Sequence, residues 1–157
     1  MTKRDRELKV EAVLKRWRKL QDEVAAVEED AANIAFSQGA GEPVQSSSIS
    51  DKTARGAFLL ENIAEKKAWV ECVTEGMAWL NEEHPELRKL LYGHYGMYNK
   101  NGYRRSTARA FANYFCHEHF VSIREYHRMR IDAIDEVAFT AAEKGLLNAA
   151  LNVQNPC

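Results

Sequence analysis

Six arginines lie between Tyr103 and Arg130, at positions 104, 105, 109, 124, 128 and 130, and this window contains no lysine. Against them stand two acids, Glu118 and Glu125, so the window carries +4 and the rest of the chain −5 within a total of −1. The planar fork of arginine matches phosphate oxygens and guanine edges, so an all-arginine patch points to nucleic acid. The same charges would also suit an ordinary solvated helix face. Two sets of candidate DNA contacts result. Arg104, Arg105, Ser106, Thr107 and Arg109 open one helical stretch, and Ser122, Arg124, Glu125, His127, Arg128 and Arg130 open the next.

The elements that must position these residues follow from the apolar spacing. Ser106 or Thr107 is expected to cap a helix running to about Phe115, with Ala108, Phe111, Ala112 and Phe115 on its inner face. The polar run from Cys116 to Val121 reads as a turn, about two residues longer than the usual three to four. Ser122 is expected to cap a last long helix that ends near Lys144, where Gly145 offers a stop. Two helices joined by a short turn, with arginines concentrated on the second, describe a helix-turn-helix. The first helix supports. The second places its N-terminal turn in the major groove, which accepts an α-helix.

Upstream, Val10, Val13, Trp17, Leu20, Val24, Val27, Ala31 and Ile34 recur at alternating spacings of three and four, a heptad seam on a single long helix. Such a stripe must pack on another helix. Self-association through Val10, Val13, Trp17, Leu20, Val24, Val27 and Ile34 is the expectation, giving a homodimer; the alternative is packing on the second long helix of the same chain. Residues 38–50, rich in glycine and serine, read as a flexible linker. The second long helix spans about Lys52 to Glu83, and a shorter one about Glu86 to Tyr95. The chain thus divides into a long N-terminal helix (1–37), a linker (38–50), a helical DNA-binding domain (51–147) with its helix-turn-helix near 104–138, and a tail (148–157). The fold class is all-α.

Other chemistries fit less well. Cys116, His117 and His119 are zinc-ligand types, but neighbours in sequence rarely reach one ion together, so no metal is expected. Three widely spaced cysteines build no disulfide framework. No Gly-rich phosphate loop, HExxH or GxSxG occurs, so neither an enzyme nor a cofactor is expected. The carboxylates Asp132, Asp135 and Glu136 are expected to be solvated. No apolar run is long enough to cross a bilayer, and the charged N-terminus is no secretory signal, so the expected location is the cytoplasm, with no membrane partner.

Three segments carry a family resemblance: Ser46 to Arg55 (SSSISDKTAR), Glu86 to Tyr95 (ELRKLLYGHY) and Val121 to Ala138 (VSIREYHRMRIDAIDEVA). Through them the chain resembles the phage late-gene transcription activators of the ArpU/RinA type, whose C-terminal part is similar to region 4 of bacterial sigma factors. The likeness covers roughly residues 45 to 147. It implies a transcription regulator, an activator of phage late genes, working on double-stranded DNA and host RNA polymerase in a bacterial cytoplasm. Two other classes compete. One is a small terminase-like, oligomeric DNA-packaging component. The other is a coiled-coil interaction protein. The order of modules, with the oligomerising helix first, favours the regulator.

Overall fold

The computed structural model describes residues 2–39 and 46–147, with side chains described for 2–34 and 54–147. The described residues form helices and no strand, the all-α architecture that the apolar spacing predicts. In order they are α1 (Lys3–Lys15), α2 (Trp17–Gly39), α3 (Ser46–Asn62), α4 (Ala64–Glu83), α5 (Pro85–His94), α6 (Arg105–His119) and α7 (Ile123–Glu143).

The long N-terminal helix is kinked into two. Arg16 leaves helical geometry at φ −112°, ψ 16°, although the Leu20 N–H still donates to its carbonyl at 2.8 Å. The kink serves two partners. α1 buries Glu7, Val10, Glu11 and Leu14, and it packs on α7. α2 buries Trp17, Val24 and Ala31 and packs mainly along α3. One straight helix with one stripe could not face both. A similar kink at Ile63 (φ −97°, ψ 1°) divides the second long helix into α3 and α4.

Within the chain, the heptad seam packs largely on the protein's own helices. Val10, Trp17 and Val24 are buried, and Val13 and Leu20 are partly buried against the same core. Val27 and Ile34 are half-buried on α2, with Ile34 facing Gly56 of α3. Pairs Glu23–Lys66 (2.9 Å) and Glu28–Lys67 (3.6 Å) bind the outer edge of α2 to the start of α4. The linker is also shorter than predicted. α2 reaches Gly39 and α3 begins at Ser46, so the serine run is helical. Serines are favoured at helix starts, where their hydroxyls can serve the free N–H groups. Gly41 and Pro43, and the tail 148–157, lie outside the described residues.

α7 is the central strut. Its Ala133, Ile134, Val137 and Ala141 are fully buried, and α1, α4, α5 and α6 all pack on it. Gly76 of α4 brings that helix close to Val137. Between α5 and α6 the chain turns through Gly102, at φ +78°, and the Tyr103 N–H donates to the Lys15 carbonyl at 3.2 Å. That bond fixes the start of α6 to the end of α1.

Candidate nucleic-acid interface

α6 runs four residues beyond the predicted end at Phe115, and this changes the turn. Cys116 and His119 continue the inward stripe begun by Ala108, Ala112 and Phe115, and the His119 ring stacks on Phe115 with centroids 4.1 Å apart. The helix ends at Phe120, a left-handed residue at φ 55°, ψ 41°. Its neighbour Val121 donates its N–H to the Cys116 carbonyl at 3.1 Å. Only Phe120, Val121 and Ser122 separate the two helices. The predicted long turn is thus a three-residue one, within the range usual for a helix-turn-helix. Polarity misled here: Cys-His-Glu-His reads as loop by composition and as helix by its i, i+4 spacing.

The second helix starts as predicted. Ser122 Oγ accepts a hydrogen bond from the Glu125 N–H at 3.1 Å. The start of α6 differs. Its cap is Arg104, with no side-chain cap bond, and Ser106 and Thr107 lie inside the first turn. No acid occupies that turn. Its unclaimed N–H groups, with Arg104 and Arg105 beside them, form an anion-favouring end.

The predicted contact residues fall into three groups. Arg104, Arg105, Ser106 and Arg109 on α6 are exposed, with Thr107 half-buried. On α7, Ser122, Arg124, His127 and Arg128 are exposed, with Glu125 half-buried. Among the described residues, Arg104, Arg105, Arg109 and Arg124 have no carboxylate within ion-pair distance, whereas Arg128 is 3.4 Å from Glu125. Arg130 sits behind both surfaces, turned toward the interior. Its Nη1 donates to Glu11 Oε1 at 2.7 Å and to the Tyr95 hydroxyl at 2.8 Å, and its side chain is mostly buried. Its charge is spent inside the protein.

Behind this surface sits an aromatic group that the sequence did not single out. His94 Nδ1 lies 2.8 Å from the Tyr126 hydroxyl, and the His94 ring packs edge-on to Tyr95. Burial, reinforced by the Arg130, His127 and Lys15 charges, pushes the His94 imidazole down to about 4. Burial also pushes the Tyr126 hydroxyl up. The low value favours an uncharged imidazole at neutral pH, hydrogen-bonded through Nδ1 to the tyrosine hydroxyl. This bond ties the end of α5 to the first turns of α7. The signal for it was the density of aromatics around residues 92–103, among which His94 sits.

The discounted metal-ligand types all lie on the last turn of α6. Cys116 is half-buried, His117 is exposed and His119 is stacked on Phe115. No group of three or more His, Cys, Asp or Glu among the described residues is placed to hold a metal ion. Of the carboxylates on α7, Asp135 pairs with Lys3 at 3.4 Å, and Asp132 is exposed. No described helix is long and apolar enough to cross a membrane.

No protein-family model matches the chain, and neither a curated protein nor a solved structure does.

Proposed function

We propose that the protein is a sequence-specific, double-stranded-DNA-binding transcription regulator. The carrying observation is the set of exposed guanidiniums at 104, 105, 109 and 124, unpaired among the described residues, on two helices joined by a three-residue turn. In this reading the N-terminal turns of α7 enter the major groove. Arg124, Glu125, His127 and Arg128 then face base edges, where arginine pairs with guanine and glutamate with cytosine. The start of α6 holds a backbone phosphate through Arg104, Arg105 and its free N–H groups.

The resemblance to phage late-gene activators supplies the finer proposal: activation of phage late genes, with host RNA polymerase as partner, in a bacterial cytoplasm. Homodimerisation through the N-terminal helices belongs to the same proposal; it would use the half-buried seam residues Val13, Leu20, Val27 and Ile34, since Val10 and Trp17 are covered by the same chain. The test is binding of the full chain to fragments of its own genomic neighbourhood, at several salt concentrations, with excess competitor DNA. Salt-sensitive retention on one promoter-proximal fragment is expected. Absence of retention at every salt concentration by the folded protein rejects the reading.

A further inference from the structure

Between α6 and α7 lies a cavity of about 550 Å³. Its size is that of a small-molecule site. Arg105 and Arg109, one turn apart, line it from α6, Lys15 lines it from the end of α1, and Tyr103 and His94 provide aromatic walls. Glu11 is the one carboxylate on the lining, and it is bound to Arg130 at 2.7 Å. That pair cancels. Lys15 holds its ammonium 4.9 Å from the centre of the Tyr103 ring. Arg105 and Arg109 have no acidic partner among the described residues. The cavity therefore has an uncompensated positive wall beside an aromatic one.

We propose that this cavity binds a phosphate-bearing ligand of mononucleotide size, with its phosphate between Arg105 and Arg109 and its ring system toward Tyr103. Paired guanidiniums satisfy phosphate oxygens by charge-assisted hydrogen bonds. An aromatic wall beside them accepts the flat face of a base. The site borders the proposed DNA surface: His127 and Arg105 belong to both, whereas Arg124 and Arg128 do not line it. The phosphate could arrive on a free nucleotide or on the backbone of DNA, and both present the same oxygens.

The experiment is calorimetric titration of the full chain with adenosine 5′-monophosphate, with inorganic pyrophosphate and with adenosine, at constant ionic strength. Saturable, one-to-one binding of the monophosphate is expected, with adenosine much weaker. Arg105→Ala and Arg109→Ala should each weaken it by about tenfold or more, as loss of a charge-assisted bond requires. Arg105→Lys should recover part of the loss, and Arg124→Ala should leave binding unchanged. Both target arginines are exposed, so thermal unfolding of each variant should match the parent. No saturable binding of either phosphate compound, or equal binding by the alanine variants, overturns the proposal. Repeating the titration with duplex DNA present identifies the source. Competition assigns the site to a backbone phosphate, and independent binding assigns it to a free nucleotide. Absence of monophosphate binding by the parent chain, with DNA retention intact, would sink the cavity site alone. The reverse result would sink the regulator alone.

Discussion

Arg130 on α7 and Glu11 on α1 form the closest long-range ion pair in the protein among the described residues, at 2.7 Å, with both side chains largely shielded from water. The two residues are 119 positions apart, and Tyr95 completes the group through its hydroxyl. The pair joins the first helix to the last at the point where α7 leaves the core.

Removing one member strands the other charge. Glu11→Ala is expected to destabilise by about 3 kcal/mol, the lower end for a broken buried pair. Replacing both, as Glu11→Leu with Arg130→Met, should recover most of that loss, because two apolar side chains leave no unpaired charge. Urea unfolding of the single and double variants decides it. Equal loss in both would show that packing, not charge, is what the pair supplies.

His94 gives the fold an acid sensitivity with a defined sign. Its folded-state value of about 4 lies below the 6.5 of an unperturbed histidine, so the unfolded chain takes up the proton more readily. Stability from this residue is complete above about pH 6.5 and declines as pH falls toward 4, by at most about 3 kcal/mol. His94→Gln should flatten that part of the stability–pH curve. If the slope between pH 6.5 and 4 is the same in both proteins, the buried imidazole is not its source.

Gly93 is where α5 meets α6. A Cβ there would run into the Phe111 ring. Gly93→Ala should cost about 1–3 kcal/mol, the usual penalty of overpacking. Adding Phe111→Leu should return part of it. A thermal melt in which Gly93→Ala matches the parent would mean that the ring swings aside freely.

Phe120 holds left-handed geometry with a side chain 94% exposed. Neither burial nor backbone preference rewards it there. Phe120→Gly should stabilise by up to about 1 kcal/mol, the relief of the Cβ clash less the added freedom of the unfolded chain. Phe120→Val should destabilise. A lower melting temperature for the glycine variant would show that the phenyl ring makes a contact worth more than the strain.

On DNA, Arg124→Ala should cost about 1–3 kcal/mol on the specific site and little on competitor DNA. Arg104→Ala should weaken binding to all sequences and reduce the salt slope by roughly one unit. Filter binding or anisotropy across salt concentrations separates the two. Equal losses for Arg124→Ala on specific and random duplexes would reassign it to a phosphate.

Sequence periodicity located the helices well where one straight stripe runs between clear start and stop residues. α7 is the clearest case: Ser122 caps it, Gly145 follows it, and Ile134 and Val137 lie in its core stripe. It failed where a tertiary partner changes along a helix. Arg16 and Ile63 carry no glycine or proline signal, so both kinks are set by what each half packs on. Leu14 is fully buried yet falls outside the heptad seam, because α1 turns a different face inward from α2. The Glu11–Arg130 pair was hidden for the same reason: it spans nearly the whole chain and leaves no local trace. The candidate interface was legible as two clusters of arginine. The cavity between them was not, since Lys15 reaches it from the opposite end of the sequence.

α7 is a single unbroken rod of 21 residues, about 31 Å long. Its first turns carry Arg124 and Arg128 at the surface, and its later turns carry a fully buried stripe. Surface end and central axle are one stiff piece. A force applied at Arg124 has no hinge within α7 at which to dissipate. It is transmitted as a lever would transmit it, into α1 and α4. In the proposed complex the DNA would have to accommodate the protein by its own bending, or by the whole body rolling, because that end of α7 cannot swivel alone.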